Sequence, residues 1–541
     1  MKKGKLRYYP MHMHLHASHE PSASIGSHMS HAAKLGIFHL WHTEHDTRMG
    51  QKGRIQAYSF AFQGEELYRE SQRAGFSLDE ENNGTYAFEN INGTLALRVQ
   101  ANVGEKESMF FHSKGKQHCD ALFSRLNIEL NADMVCPNTQ STVIVEFVLS
   151  AQPPSYQQAK MRYYLGKKPQ KMDDAPVQYL PMPKAENGKY MFPITRDVEQ
   201  EIGGLDNAFC NLRLWVENGG EMVFHSFTVH RELNFEQVRQ EQIKVARELG
   251  KKWGVTPFVT FEITGSGHHK NCYSTKVPVI DYIANDFHVN NLQAIEHVKR
   301  HGGIFSWNHP FTETSGKGLP AEARDAIVDN VAKTLIENYV YGATLMEVGF
   351  PVGRDGFSMA HYLRLWDELG KSGICITGDG DSDCHHAVDV GWTTGNNFCT
   401  YAGIFENELP CEESFISAFK RGSVWFGNPV LMGKLTLECK HANMGGVVVG
   451  KRVLVRFTAS DIRSDGYARC VVNGKEVKRI AIEKGKAQGA FWLANKQKYN
   501  FARVELYSSN DVPMAATNPI YLVENADDIP FKAIENGRYQ Q

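Results

Sequence analysis

The sequence predicts an α/β protein whose alternating strand-and-helix core is interrupted by an all-β sandwich and followed by a second β-sandwich. Three observations carry this. Strand and helix patterns alternate regularly from residue 235 onward; a His-rich extended segment, a short helix and a strand stand near the start; and short period-two runs dominate residues 66–234 and 433–541.

Taken in order, SHMSHAAKL reads as a helix with Ser27 as its N-cap and Gly36 as its stop, and IFHLWHTEHD as the strand after it. Between 66 and 234 come TLALRVQANV, STVIVEFVLSA, FCNLRLWVEN and EMVFHSFTVHREL, separated by Gly, Asn, Asp and Pro clusters. Helical periodicity returns at FEQVRQEQIKVARELGKKWG, after which PFVTFEI, NLQAIEHVKRHG, GIFSWNHP, ATLMEVG, SMAHYLRLWDELGKSG and ICITGDGDSD alternate strand and helix, an order that favours parallel strands. Residues 1–65 need 235–432 to complete a sheet or barrel, so 66–234 reads as an insertion in one α/β domain. KLTLECK, KRVLVRFTA, ARCVVNGKEV and ARVELYSS make 433–541 a C-terminal sandwich with a tail. In the insert, FCNLRLWVENGGEMVFHSFTV reads as a strand pair whose Trp215, Phe224 and Phe227 resemble those of jelly-roll carbohydrate-binding modules, although core packing explains these aromatics more simply.

Composition narrows the function classes. A formal net charge of −2 with 22% charged residues leaves no basic footprint for nucleic acid, and no run of about 18 apolar residues could span a bilayer. No signal-peptide pattern precedes the first strand, so a cytoplasmic protein without nucleic-acid or membrane partners is expected. The ten cysteines are scattered with no CxxC pair, as expected of reduced thiols. There is no GxSxG nucleophile motif, and neither GxxxxGK[ST] nor GxGxxG occurs as a phosphate loop.

Histidine is the anomaly: nine of 23 lie within the first 45 residues. His12, His14 and His16 stand at alternate positions and would project from one face of an extended segment. WHTEHD then places Glu44, His45 and Asp46 at a strand's C-terminal tip, the edge where parallel α/β folds build sites. Three later strand ends bring similar chemistry: Glu262 followed by His268 and His269, then His309 in an HP dipeptide, then Asp379, Asp381 and Asp383 followed by His385 and His386. Each alone fits a capping carboxylate or an ordinary loop. Together they gather His and carboxylate groups at one end of five successive strands.

This order of HxH, helix, strand-end T[DE]HD-like motif, strand-end Glu, downstream His, HP and terminal DxH resembles the PHP (polymerase and histidinol phosphatase) superfamily of metallohydrolases, near the large bacterial branch that holds carbaryl-hydrolase-like enzymes. The resemblance covers about residues 8–65 and 235–430 and implies a distorted (βα)7 barrel with up to three metal ions at its C-terminal edge. It implies that His14 and His16, with Glu262 and Asp383, hold the first ion, with His12 and His14 as the alternative register. Glu262 would bridge to a second ion on His269, or His268, and His309. A third would take His45, His385 or His386, and Glu20 or His19. His12 stands where the family often has Asp, Ala17 where it has Ser or Thr, and Glu44 where it has Asp.

The expected cofactors are two or three divalent ions, and mixed imidazole and carboxylate ligands suit Zn, Mn or Fe. The expected chemistry is hydrolysis by a metal-bridged hydroxide, with His45 and His385 as candidate proton donors and Arg354 as the candidate contact for an anionic substrate. The resemblance implies a phosphoesterase. Hydrolysis of a carboxylic ester, carbamate or glycan-linked bond by the same site, and a non-catalytic glycan-binding protein, are the alternatives. A small-molecule or glycan-linked substrate and a homo-oligomer are the partners compatible with this reading.

Overall fold

The computed structural model describes residues 4–16, 25–46, 76–78, 83–104, 107–113, 126–151, 158–169, 177–194, 207–231, 235–280, 290–311, 314–384 and 398–539. In chain order they carry β1 (Leu6–Leu15), α1 (Ile25–Lys34), β2 (His39–His45), β3 (Phe76–Leu78), β4 (Gly84–Ile91), β5 (Thr94–Ala101), β6 (Ser108–Ser113), β7 (Leu126–Val135), β8 (Thr142–Ala151), β9 (Gln158–Gly166), β10 (Val177–Pro181), β11 (Lys189–Ile194), β12 (Asn207–Glu217) and β13 (Glu221–Arg231). There follow α2 (Phe235–Trp253), β14 (Thr256–Ile263), β15 (Lys270–Cys272), α3 (Asn291–Arg300), β16 (Phe305–Trp307), α4 (Ala321–Glu337), β17 (Leu345–Glu347), α5 (Met359–Lys371), β18 (Thr377–Asp379), β19 (Cys399–Phe405), α6 (Glu412–Arg421) and β20 (Val424–Gly427). The last are β21 (Lys434–Glu438), β22 (Val447–Val449), β23 (Arg452–Ser460), β24 (Gly466–Val472), β25 (Lys475–Ala481), β26 (Ala487–Ala494), β27 (Asn500–Ser508), β28 (Pro513–Thr517), β29 (Ile520–Val523) and α7 (Phe531–Glu535). These elements form two compact units: residues 1–16, 28–47 and 246–541 make the first, and 17–27 with 48–245 the second. Among the described residues no helix is long and apolar enough to cross a membrane.

The first unit is a mixed α/β structure built on one large sheet ordered β18-β17-β16-β15-β14-β2-β1-β19-β20-β28-β27-β24-β25. β1, β2 and β14 are parallel neighbours, as are β16, β17 and β18. The parallel pairing that the strand-helix alternation favours is interrupted at two places. β15 runs antiparallel to both β14 and β16, because the short link after Ile263 cannot make the crossover a parallel neighbour needs. β19 is antiparallel to β1. The chain after β18 returns to the end of β1, where Leu15 and Cys384 bridge in parallel; His16 N–H donates to the Cys384 carbonyl at 3.0 Å and Cys384 N–H to the His14 carbonyl at 3.3 Å. Cys384 therefore acts through its backbone.

β1 buries both of its faces: Met11 and Met13 pack with Trp41, Phe258, Leu345 and Phe419, while His12 and His14 between them are also buried. The helix α1 already runs at Ile25, so Ser27 lies within it and is not its N-cap, whereas Gly36 at φ 73° follows its end as expected. Residues 433–541 do not stand apart as a sheet of their own. β28 pairs with β20 and extends the large sheet, while β21, β23 and β26 form a separate three-stranded sheet.

The second unit stacks a six-stranded sheet, β10-β9-β8-β12-β6-β3, and a five-stranded one, β11-β7-β13-β5-β4, around a core that includes Leu97, Ile128, Val145, Phe147, Leu214 and Phe224. β12 and β13, read as a strand pair, belong to opposite sheets; the turn between them, with Asn218 and Gly219 at positive φ, carries the chain across. Phe224 is a core residue. Trp215, between core residues Leu214 and Val216, turns to the other face, where the Arg162 guanidinium lies 4.9 Å from its ring. The side chain of Phe227 lies outside the described residues.

Within the first unit, a buried charge network ties α5 to β27: Arg503 pairs with Asp367 and donates from Nε to Glu505 at 2.8 Å. Burial raises the Asp367 pKa even against Arg503. Arg503→Met leaves the buried Asp367 without its ion-pair partner and Glu505 with Arg469 alone, and urea denaturation should show a loss of about 3–5 kcal/mol. A midpoint unchanged from wild type would remove the network from any role in stability.

Candidate metal centre

β2 and β14 run parallel with His45 beside Glu262, so their last residues project together at the sheet's carboxyl edge. Glu262 is fully buried. Its Oε1 lies 3.3 Å from His14 Nε2, 3.2 Å from His269 Nδ1 and 3.5 Å from His309 Nε2; its Oε2 lies 2.6 Å from His45 Nδ1 and 3.9 Å from His16 Nε2. Asp383 Oδ1 completes the set at 3.2 Å from His14 Nε2 and 3.1 Å from His16 Nε2. Seven of the sequence-derived ligands, His14, His16, His45, Glu262, His269, His309 and Asp383, thus meet around one carboxylate. Glu20 and His385, with the alternatives His19 and His386, lie outside the described residues.

The alternation expected of His12, His14 and His16 is broken. β1 shifts register against β2 between His12 and Leu15, and His14 adopts φ 61°, so the three rings do not share one face. His12 Nδ1 instead meets the Met13 carbonyl at 3.1 Å, which leaves His14 and His16 as the HxH pair at Glu262. The Leu15–Cys384 bridge brings Asp383 against both. His268 stacks on Trp307 with ring centroids 4.0 Å apart and bonds the Asn308 carbonyl from Nε2 at 2.8 Å, so His269 is the residue of that pair that faces Glu262. His14, His309 and Asp383 all have positive φ, at 61°, 23° and 47°. Such backbone costs on the order of 1–3 kcal/mol per residue and persists where the surroundings over-determine it.

Part of that over-determination comes from Glu347, at the end of β17, which the sequence reading passed over. Its Oε1 lies 2.5 Å from His14 Nδ1 and its Oε2 accepts the His309 backbone N–H at 2.6 Å. One buried carboxylate thereby holds two residues on different elements: it leaves Nε2 as the nitrogen that His14 presents to Glu262 and anchors the backbone of His309. Its signal was a lone Glu closing ATLMEVG, the same strand-end position that marked Glu262. Asn308, also passed over, donates from Nδ2 to Glu262 Oε1 at 2.8 Å and accepts the Asn271 N–H at 3.1 Å. Arg354, read as a loop cation near a substrate anion, pairs directly with Asp383.

Charge follows this arrangement. Burial opposes ionisation of Glu262, but His269, His45 and His14 overcome it and hold its pKa well below the usual range. Burial likewise opposes a proton on His14, and Asp383, Glu347 and Glu262 together raise its pKa well above the ordinary value. Burial and then the Glu347 charge push Asp379 and Asp381 well up from the ordinary carboxyl value. Away from the carboxylates the sense reverses: burial lowers His12 to about 3 and His42 to about 4, so both are neutral side chains.

The donor set fits divalent metal. Three groups, His14–His16–Glu262, His45–Glu262–His269 and His14–Glu347–Asp381, each offer ligand atoms within 4.8 Å of one another. Glu262 Oε2 and His14 Nε2 are buried without a well-formed hydrogen bond, an expensive state unless a cation or proton lies among them. Imidazole nitrogens mixed with carboxylate oxygens suit Zn, Mn or Fe. These overlapping clusters are consistent with one or more ions.

No family model matches the chain, and no curated protein does. Among solved structures, it is similar to the endo-1,4-β-glucanase CelB2, at 9% identity and TM-score 0.23 over 29% of this chain and 93% of that one. The Trichoderma harzianum endoglucanase 3 of family GH12 matches at 8% identity and TM-score 0.22, over 32% and 98%. A family 11 carbohydrate-binding module from Clostridium thermocellum matches at 8% identity and TM-score 0.20, over 34% and 99%.

The division of labour between the adjacent histidines is open to measurement. His269→Ala should weaken metal binding, followed by competition with a chromogenic chelator, by on the order of 100-fold, whereas His268→Ala should stay within about threefold of wild type. The reverse order would assign the ligand to His268.

Proposed function

We propose that this chain is a metal-dependent hydrolase of the PHP type and that its substrate is a phosphoester. The observation that carries the reading is Glu262, one buried carboxylate shared by His14, His16, His45, His269 and His309 at the carboxyl edge of the sheet. The order of motifs along the chain supports it, as does the return of the chain after β18 to the end of β1, which a barrel of seven strands requires.

In this reading His14, His16, Glu262 and Asp383 hold one ion, and Glu262, His269 and His309 a second, with His45 and the sequence-derived His385 and Glu20 serving a third. Bound ions supply a water of lowered pKa and neutralise charge that builds on the substrate oxygen. The protein's own groups do the rest. Glu347 holds His14 Nδ1 and the His309 N–H, so the ligand rings need no reorganisation during reaction. Arg354, held by Asp383 at the rim and partly exposed, presents a planar guanidinium to an anionic substrate oxygen, and this favours a phosphoester over a neutral ester.

The test is turnover of a panel of phosphomonoesters and phosphodiesters by full-length protein supplied with Mn, Zn or Fe. The expected result is metal-dependent phosphate or alcohol release, lost by 100-fold or more (order of magnitude) in Asp383→Asn and lowered about 10- to 100-fold in kcat/KM by Arg354→Ala. No release from any phosphoester by the metal-loaded protein, with cleavage of aryl esters or carbamates instead, would move the site to carboxyl chemistry. No metal-dependent turnover of either class would overturn the enzymatic reading.

A further inference from the structure

Among the described residues of the first unit, the buried Arg538 and the half-buried Arg421 form no ion pair. Arg421, the last residue of α6, and Arg538, beyond α7, line one cavity together with Phe405, Ser423, His441 and Asn443. The cavity offers about 40 Å³ to water-sized occupants, room for a small oxyanion. Arg538 is 3% exposed; its Nη1 donates to the Gly445 carbonyl at 3.1 Å and its Nη2 to Thr377 Oγ1 at 2.5 Å, and its Nε–H has no acceptor. Arg421 donates from Nη1 to Ser417 Oγ at 2.5 Å and lies with its guanidinium 4.6 Å from the centre of the Phe405 ring; its Nε and Nη2 are buried and have no acceptor.

Among the described residues, Arg503, Arg162 and Arg354 each reach a carboxylate through an ion pair. Arg421 and Arg538 make none; every acceptor they have is a neutral oxygen. A guanidinium cannot shed its charge to escape a dry site, so two of them at one cavity leave a concentrated, uncompensated positive potential. Burial lowers the pKa of both, and the carboxylate of Glu408 opposes this only at Arg421. The favourable occupant of such a space is an anion that can take several N–H donors at once.

We propose that this cavity is a binding site for a small oxyanion, a phosphate or carboxylate group, held by the guanidinium groups of Arg421 and Arg538. It is separate from the candidate metal centre, whose side chains are not among those lining it, and does not depend on the hydrolase reading. It nevertheless touches the same strand. Arg538 holds Thr377, which opens β18, and the far end of β18 leads to Asp379, Asp381 and Asp383.

Isothermal titration of the full-length, chelator-treated protein with inorganic phosphate, and separately with acetate, at constant ionic strength tests this. Removing metal keeps phosphate from binding at the metal centre, and Arg354→Met controls for that guanidinium. Saturable binding is expected in wild type and Arg354→Met and should weaken at least about tenfold in Arg421→Met. Arg421 is part-exposed, so this variant is expected to fold even where Arg538→Met does not, and circular dichroism verifies it. Binding of phosphate alone assigns a phosphoryl ligand, and binding of acetate alone a carboxylate. Saturation by neither anion, or equal affinity in wild type and Arg421→Met, overturns the proposal.

Discussion

A carboxylate removed from water must be neutralised, and in this protein that demand falls on Glu262. Desolvation alone would leave it protonated. The imidazoles of His269, His45 and His14 reverse this, and His14 is itself too buried to be charged without Asp383, Glu347 and Glu262 close by. Neither half of the cluster is stable alone. Cations shared among these groups would satisfy both halves at once, so a geometry that is costly as a set of buried polar groups is consistent with a metal centre.

The fold serves that cluster by bending backbone at three places. The register shift in β1 turns His14 toward Glu262, the bridge from Leu15 to Cys384 sets Asp383 against both histidines of the HxH pair, and the antiparallel turn from β14 to β15 swings His269 back over the strand end. His14, His309 and Asp383 occupy left-handed backbone that side chains seldom adopt. Glu347 holds two of these three, the ring of His14 and the backbone of His309, so the strain and the orientation of the ligands have a common restraint.

Much of the site was legible in the sequence because strand-end positions in an α/β fold have a simple signature: a hydrophobic run that ends in a polar residue. HxH, TEHD, the Glu of TFEI, the HP and the DxD series all carry it, and His14, His16, His45, Glu262, His309 and Asp383 from these motifs converge. Glu347 carries the same signature, but a single Glu after ATLM has no histidine beside it to draw notice. The choices between His12 and His16, and between His268 and His269, were illegible for another reason. Each depends on a bulge or a hairpin link, which local periodicity does not encode, and on partners such as Asn308 that are distant in sequence. The same holds for β12 and β13, whose alternation is clear while their assignment to opposite sheets depends on Asn218 and Gly219 at the turn.

The most direct test of the account is metal content per chain. Elemental analysis of full-length protein expressed with Mn, Fe and Zn supplied, then passed through a desalting column, should give about two or three ions per wild-type chain and less than about one in Glu262→Gln, since the shared carboxylate is lost from every overlapping set. Wild-type protein holding fewer than one ion, or a Glu262→Gln variant that retains the full complement, would contradict the claim that this carboxylate is the centre on which the site is built.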